Sequence, residues 1–174
     1  MTPRRTIGLA ATAAAVLAAS PALAQTTIAI NPVRDGTIYE TYDIFNYSNG
    51  AGQHFFVGRT AQDMGSRRRG LLAFDLSSIP AGSTITSVTL RLHVSRTTSG
   101  SQNISLRKAL VAWGEGASDA ESNEGTGVDP EPGDVTWVHS FFPDVFWSTP
   151  GGQYSAIQSA TRSVNSAANY TWTS

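Results

Sequence analysis

The stretch that decides the fold is Leu71-Leu72-Ala73-Phe74-Asp75-Leu76-Ser77-Ser78-Ile79-Pro80-Ala81-Gly82, followed by Val88-Thr89-Leu90-Arg91-Leu92-His93-Val94. In the second run Val88, Leu90, Leu92 and Val94 alternate with Thr89, Arg91 and His93. A period of two with β-branched residues marks a half-buried strand. In the first run Leu72, Phe74 and Leu76 face one way and Leu71, Ala73 and Asp75 the other. Both faces are largely apolar, which predicts a central place in a sheet. Between the runs Pro80 fixes its φ and lacks a ladder donor, while Gly82 accepts a positive φ, so the connection is a turn.

Outward from this pair the pattern stays β. Ile104 and Leu106 begin a strand toward Val111, and its alternation slips at Arg107-Lys108, which predicts a bulge. Residues 26–30, 37–39, 55–59, 134–139 and 169–172 read as shorter strands. Residues 156–168 are the best helical candidate, diluted by Ser, Asn and Thr. Many short strands with frequent Gly and Pro predict an all-β fold, a sandwich or jelly roll. Two polar stretches interrupt it. Residues 47–52 form a glycine-rich turn. Residues 115–134 form a long acidic loop carrying Glu115, Asp119, Glu121, Glu124, Asp129, Glu131 and Asp134.

Residues 1–24 read as an address rather than as fold. Arg4 and Arg5 give a positive start, residues 7–19 are apolar, and Ala22-Leu23-Ala24 is a small-x-small cleavage site. The apolar run is shorter than the ~20 residues that span a bilayer. The expectation is a bacterial-type secretory signal peptide, a mature chain beginning at Gln25, and a secreted protein, extracellular or periplasmic, with no membrane association after cleavage. The chain has no cysteine, so an exported fold must rest on packing alone. Residues 25–174 are long enough for a single domain with a real core. Arg4 and Arg5 are two of the 12 basic side chains, which leaves 10 against 13 acidic ones in that domain, not a nucleic-acid-binding balance.

The central stretch, on to Ile85-Thr86-Ser87-Val88-Thr89-Leu90-Arg91-Leu92, resembles the signature L-x-F-D-L-S-x-I-P-x-G-x-x-I-x-x-A-x-L-x-L of the DNRLRE-domain family. Trp113-Gly114-Glu115-Gly116 resembles the family's W-x-E segment, Asp134-Val135-Thr136-Trp137 its V-T-W segment, and Asp35-Gly36-Thr37-Ile38-Tyr39-Glu40 its early strand. The resemblance runs from about Val33 to Trp172. It implies an extracellular jelly-roll-like antiparallel β-sandwich similar to carbohydrate-binding modules, with polysaccharide as the partner of some relatives. Relatives continue past the strand that here ends at Thr171-Trp172-Thr173-Ser174, so the resemblance also implies a sandwich lacking its last strand.

Catalytic constellations are absent from the sequence. There is no G-x-S-x-G, no H-E-x-x-H and no phosphate-binding glycine loop. His54, His93 and His139 lack metal-ligand spacing and read as locally hydrogen-bonded imidazoles. Glu115, Asp134 and Asp144 are the carboxylates a glycosidase would draw on, but sequence spacing does not set their separation. The expectation is a non-enzyme. Asp119, Glu121 and Asn123 place oxygens at alternating positions and form a candidate calcium site, although Glu124 and Pro130 rule out an EF-hand. The alternative there is a solvated acidic loop extended by its own repulsion.

Sugars stack their C–H faces on flat rings. In the family pattern Trp113 and Trp137 fall at core-facing positions. Trp147 and Tyr154 lie in Phe146-Trp147-Ser148-Thr149-Pro150-Gly151-Gly152-Gln153-Tyr154, whose composition marks an exposed loop, and they are the candidate ligand contacts. Arg67-Arg68-Arg69 either complements an acidic polysaccharide or is a solvated strand entrance. Two functions stay open: a secreted non-catalytic module for polysaccharide or extracellular matrix, and a structural surface or adhesion domain without a small ligand.

Overall fold

The structure is a computed structural model that describes residues 25–42 and 46–174. The expected signal peptide lies outside them. The described strands, in chain order, are β1 (Pro32–Tyr39), β2 (Gly58–Arg59), β3 (Arg67–Phe74), β4 (Thr89–Val94), β5 (Gln102–Ala109), β6 (His139–Phe141), β7 (Val145–Phe146), β8 (Tyr154–Val164) and β9 (Ala168–Thr173), with one 3-10 turn at Glu121–Asn123. Every ladder is antiparallel, in the orders β1-β3-β2, β4-β9, β5-β8 and β6-β7. The fold is all-β and sandwich-like. No helix among the described residues is long and apolar enough to cross a membrane.

The two-faced apolar run read at 71–76 lies in β3 as far as Phe74, central between β1 and β2, and Asp75 and Leu76 follow it exposed. Leu71 and Ala73 turn to one side and pack on a cluster of Ile38, Trp113, Val135 and Trp147. The opposite side is covered by loops. Thr37 Oγ1 accepts the amide of Phe56 at 2.8 Å, and the Tyr39 hydroxyl donates to the Glu124 carbonyl at 2.7 Å. Burial pushes the Tyr39 hydroxyl up to about 12.

A second cluster forms where β4-β9 faces β5-β8. Val164, Tyr170 and Trp172 are buried, with Leu90, Leu92, Val94, Ile104 and Leu106 packed around them. The Trp172 indole donates to the Ile104 carbonyl at 2.9 Å and ties the two sheets together. Leu90, Leu92 and Val94 of the alternation read at 88–94 are thus the inner face of β4, while Val88 lies before the strand and is exposed, and His93 stays exposed, its Nδ1 paired with Asn169 Oδ1 at 3.0 Å.

The slip at Arg107 is real: the β5-β8 register shifts between Leu106 and Arg107 and again before Ala109. Four readings change, the first being residues 55–59, of which only Gly58–Arg59 is strand. Residues 26–30 form no strand, and 134–138 are irregular, β structure beginning only at His139. The helical candidate at 156–168 is instead most of β8. Its hydroxyls explain the reversal, because they pair across strands: Ser105 with Thr161 at 3.0 Å and Ser101 with Ser163 at 2.6 Å.

The acidic loop is not held extended by repulsion. It clasps the glycine-rich turn: Ala51 donates to the Ser118 carbonyl at 2.9 Å, Ala120 to Asn49 Oδ1 at 2.9 Å, and Ser48 and Val128 form a β-bridge. Glu124 is the pin. Its carboxylate accepts the His54 amide at 2.7 Å and the Asn49 side chain at 3.1 Å.

Candidate functional site

Alternation along β3 separates the three consecutive arginines. Arg68 turns to the loop-covered side, where it is buried over the Tyr39 ring at 5.0 Å and donates to the carbonyls of Glu40 and Gly65. Arg67 and Arg69 share the face that Leu71 and Ala73 use for the core. At this end of the strand the core gives way to Trp137, half-buried, with part of its indole on the buried cluster.

The guanidinium carbons of Arg69 and Arg67 lie 4.9 Å and 5.2 Å from the Trp137 centroid. Arg69 is also 5.0 Å from the centroid of Tyr154, and Arg107 reaches the same ring at 5.8 Å. The sequence Arg67–Trp137–Arg69–Tyr154–Arg107 is therefore one continuous surface of alternating cations and rings, drawn from β3, the 134–138 segment, β8 and β5. The register shift at Arg107 has a local consequence here, since a bulge re-aims the side chain it carries.

Each cation is fixed in place. The Glu40 carboxylate accepts Arg67 Nε at 2.7 Å and the Arg67 amide at 3.0 Å, and these bonds hold it below the usual carboxylate range. Arg69 donates to the Gly151 carbonyl, and Arg107 to the carbonyls of Ser155, at 3.0 Å, and Ala156. Among the described residues neither Arg69 nor Arg107 has a carboxylate partner. Two guanidiniums thus lie over aromatic rings with no carboxylate beside them, in a fork geometry suited to carboxylate or sulfate oxygens.

Gly151 makes the arrangement possible. Its φ is +94°, and a Cβ there would stand 2.6 Å from Arg69 Nη1 and 2.9 Å from Trp137 Cζ2. Its amide donates to the Trp137 carbonyl at 2.6 Å, which locks the turn against the ring.

Of the residues expected to contact ligand, Tyr154 lies on this surface and is 43% exposed. Trp147 does not. It is 5% exposed in the core cluster, its indole donating to the Thr136 carbonyl at 2.9 Å and its amide to the Val138 carbonyl at 3.0 Å. The Ser-Thr-Pro-Gly composition marks the turn after Trp147, while the indole itself points back under it. Trp137, expected to face the core, packs partly on the core cluster and also meets Arg67 and Arg69.

Asp119, Glu121 and Asn123 are all exposed. Asp119 Oδ1 accepts the Glu121 amide at 2.8 Å, and Asn123 Oδ1 accepts the Thr126 hydroxyl at 3.4 Å. Among the described residues no three His, Asp or Glu side chains converge on a metal-sized site. Of the carboxylates considered for catalysis, Asp134 lies against the backbone of Gly116, next to Glu115. Glu115 accepts the Asp35 amide at 2.9 Å, and burial followed by the charge of Glu115 raises the Asp35 carboxyl. Asp134 is fully buried and accepts the amides of Glu131 and Ser118 at 2.7 Å and 3.4 Å. Asp144 sits exposed on the β6-β7 turn.

An antiparallel β-sandwich with a ring-and-cation surface on one side has the make-up of a sugar-binding module. The chain belongs to carbohydrate-binding module family 96, whose model matches residues 26–117, just over half of the sequence. Arg67, Arg69 and Arg107 fall within the match; Trp137 and Tyr154 lie beyond it. The match supports the carbohydrate-binding-module character of the DNRLRE resemblance and does not carry that name. No curated protein and no solved structure matches the chain.

Proposed function

We propose that this chain is an exported, non-catalytic module that binds an acidic polysaccharide across the Arg67–Trp137–Arg69–Tyr154–Arg107 surface. The observation that carries the reading is Arg69. Its guanidinium lies between two rings, bonded to a carbonyl and not to a carboxylate. Such a group offers N–H donors to an anion while the flanking rings take C–H faces. Membership of a carbohydrate-binding family makes a glycan the natural source of both. Proximity of charge also explains why a mildly acidic domain suits an acidic ligand: its positive charge is gathered where the chain would lie.

The test is electrophoresis of residues 25–174 through native gels cast with acidic or neutral polysaccharides. Retardation by the acidic polymers, relieved by salt, is expected. Equal mobility in every gel sinks the proposal.

Calcium at Asp119, Glu121 and Asn123 is a separate proposal, resting on their oxygen-rich side chains at alternating positions. A melting temperature that rises in millimolar calcium relative to EDTA is its expected signature, and identical melts would remove it.

A further inference from the structure

Charge is segregated along the chain. Residues 76–114 and 145–174 carry Arg91, Arg96, Arg107, Lys108 and Arg162 and no Asp or Glu, so all 13 acidic side chains lie elsewhere. These stretches hold both strand pairs around the second cluster, β4-β9 and β5-β8. The carboxylates gather in the loop at 115–134, which carries seven of them. The molecule therefore has a positive part and a negative part, each short of the opposite charge.

The positive part presents one ordered face. Leu90, Leu92 and Val94 of β4, with Tyr170 and Trp172 of β9, turn inward onto the second cluster. Alternation sends Arg91 and His93 of β4, and Asn169 and Thr171 of β9, to the outer face, where all four are exposed. In the ladder Arg91 stands opposite Thr171, and His93 opposite Asn169. With Leu92 and Tyr170 they line a cleft of about 480 Å³. Arg91 makes no hydrogen bond, ion pair or ring contact with any described residue. It is a guanidinium fork without an acceptor. The indole and phenol of these two strands, Trp172 and Tyr170, are buried on the inner side. The outer face thus lacks the flat platform on which a sugar would stack.

The negative part offers the complement. Asp119, Glu121, Asp129 and Glu131 are exposed, and none has a cationic partner among the described residues. Their loop is bonded to the 47–52 turn, so the carboxylates stand on a fixed backbone. Arg91 bonds to no part of that loop, so the two charges do not meet within one chain.

We infer that the outer face of β4-β9 docks a second copy of this chain, whose exposed loop carboxylates meet Arg91 and His93. The two surfaces differ, so the contact is heterologous. Each added copy leaves a free face and a free loop, and the assembly grows head to tail rather than closing as a symmetric pair. The inference does not depend on the glycan reading of the arginine surface.

The experiment is sedimentation velocity of residues 25–174 over a range of concentrations, in EDTA so that no calcium covers the loop, at low and at raised sodium chloride. The wild type should sediment faster as concentration rises in low salt and as a monomer in high salt, because exposed charges are screened. Arg91→Glu should stay monomeric, and so should the loop variant Asp119→Lys, Glu121→Lys. A mixture of the two variants should associate again, since one supplies an acidic face and the other a basic loop. Misfolding of either variant would not produce that recovery. A wild type that stays monomeric in low salt overturns the inference, as does association that persists in both variants, or a mixture that fails to recover. Retardation by acidic polysaccharide that disappears in Arg91→Glu would give the face to the glycan and overturn it as well.

Discussion

The guanidinium of Arg69 stands 4.9 Å from the centroid of the Trp137 ring. That contact joins the two levels of the molecule, because Trp137 rests on the buried cluster and Arg69 belongs to the strand at the centre of its sheet. The cation is thus positioned by the core and not by a loose surface side chain.

Arg69→Ala removes a half-buried arginine from between two rings. A cation–π contact at such a site contributes roughly 0.5–2 kcal/mol. Urea denaturation should show a loss of stability of that order, while retardation by acidic polysaccharide disappears. In the wild type the same retardation should weaken as sodium chloride is raised, since exposed charges are screened over about 8 Å at physiological ionic strength.

Trp147→Ala should behave in the opposite way. The indole fills the cluster of Ile38, Trp113 and Val135 and bonds the Thr136 carbonyl. Truncation leaves a cavity and an unpaired carbonyl, at a cost of about 3–5 kcal/mol. Chemical denaturation should show that loss. A variant that keeps wild-type stability and loses only ligand would return Trp147 to the binding surface.

These two tryptophans show what was legible and what was not. The composition around Trp147 describes the backbone of a turn, and the turn is indeed there; the direction of one indole depends on β6, β7 and Thr136, which are set by tertiary pairing. Trp137 falls at a core-facing position in the family pattern and rests only partly on the buried cluster. Residues 134–138 form no strand, so strict alternation does not govern them. The central place of β3, the inner face of β4 and the slip at Arg107 were all visible, because period and its interruption are local. β8 was not, because its stability comes from cross-strand hydroxyl pairs that no local window contains. The grouping of Arg69 with Arg107 joins strands that are not paired with each other, and only the alternation of Arg67-Arg68-Arg69 hinted at half of it.

Gly151→Ala should damage fold and site together. A Cβ at a φ of +94° is strained, and it collides with Arg69 and Trp137. A cost of about 1–3 kcal/mol is expected for such a conformation. The check is a denaturation curve alongside tryptophan fluorescence, whose emission should shift as the Trp137 environment opens.

His139 gives the fold an acid sensitivity. The imidazole is buried between Phe142 and Phe146, with Nδ1 3.0 Å from Thr136 Oγ1. Burial lowers it below its ordinary 6.5, more than nearby Asp144 raises it. The unfolded chain therefore binds this proton more readily than the folded one. The contribution is fully present above about 6.5 and declines as pH falls through the depressed value. Urea midpoints measured at pH 7.5 and 5.0 should fall for the wild type, and the fall should be smaller in His139→Asn.

The most direct test of the acidic-polysaccharide surface is calorimetric titration of a homo-oligouronate into residues 25–174 and into the double variant Arg69→Gln, Arg107→Gln. The two cations without carboxylate partners carry the proposal, so measurable binding by the wild type and its loss in the double variant, which still melts cooperatively, is the predicted result. Equal binding by the two proteins would contradict it and place the ligand elsewhere on the sandwich.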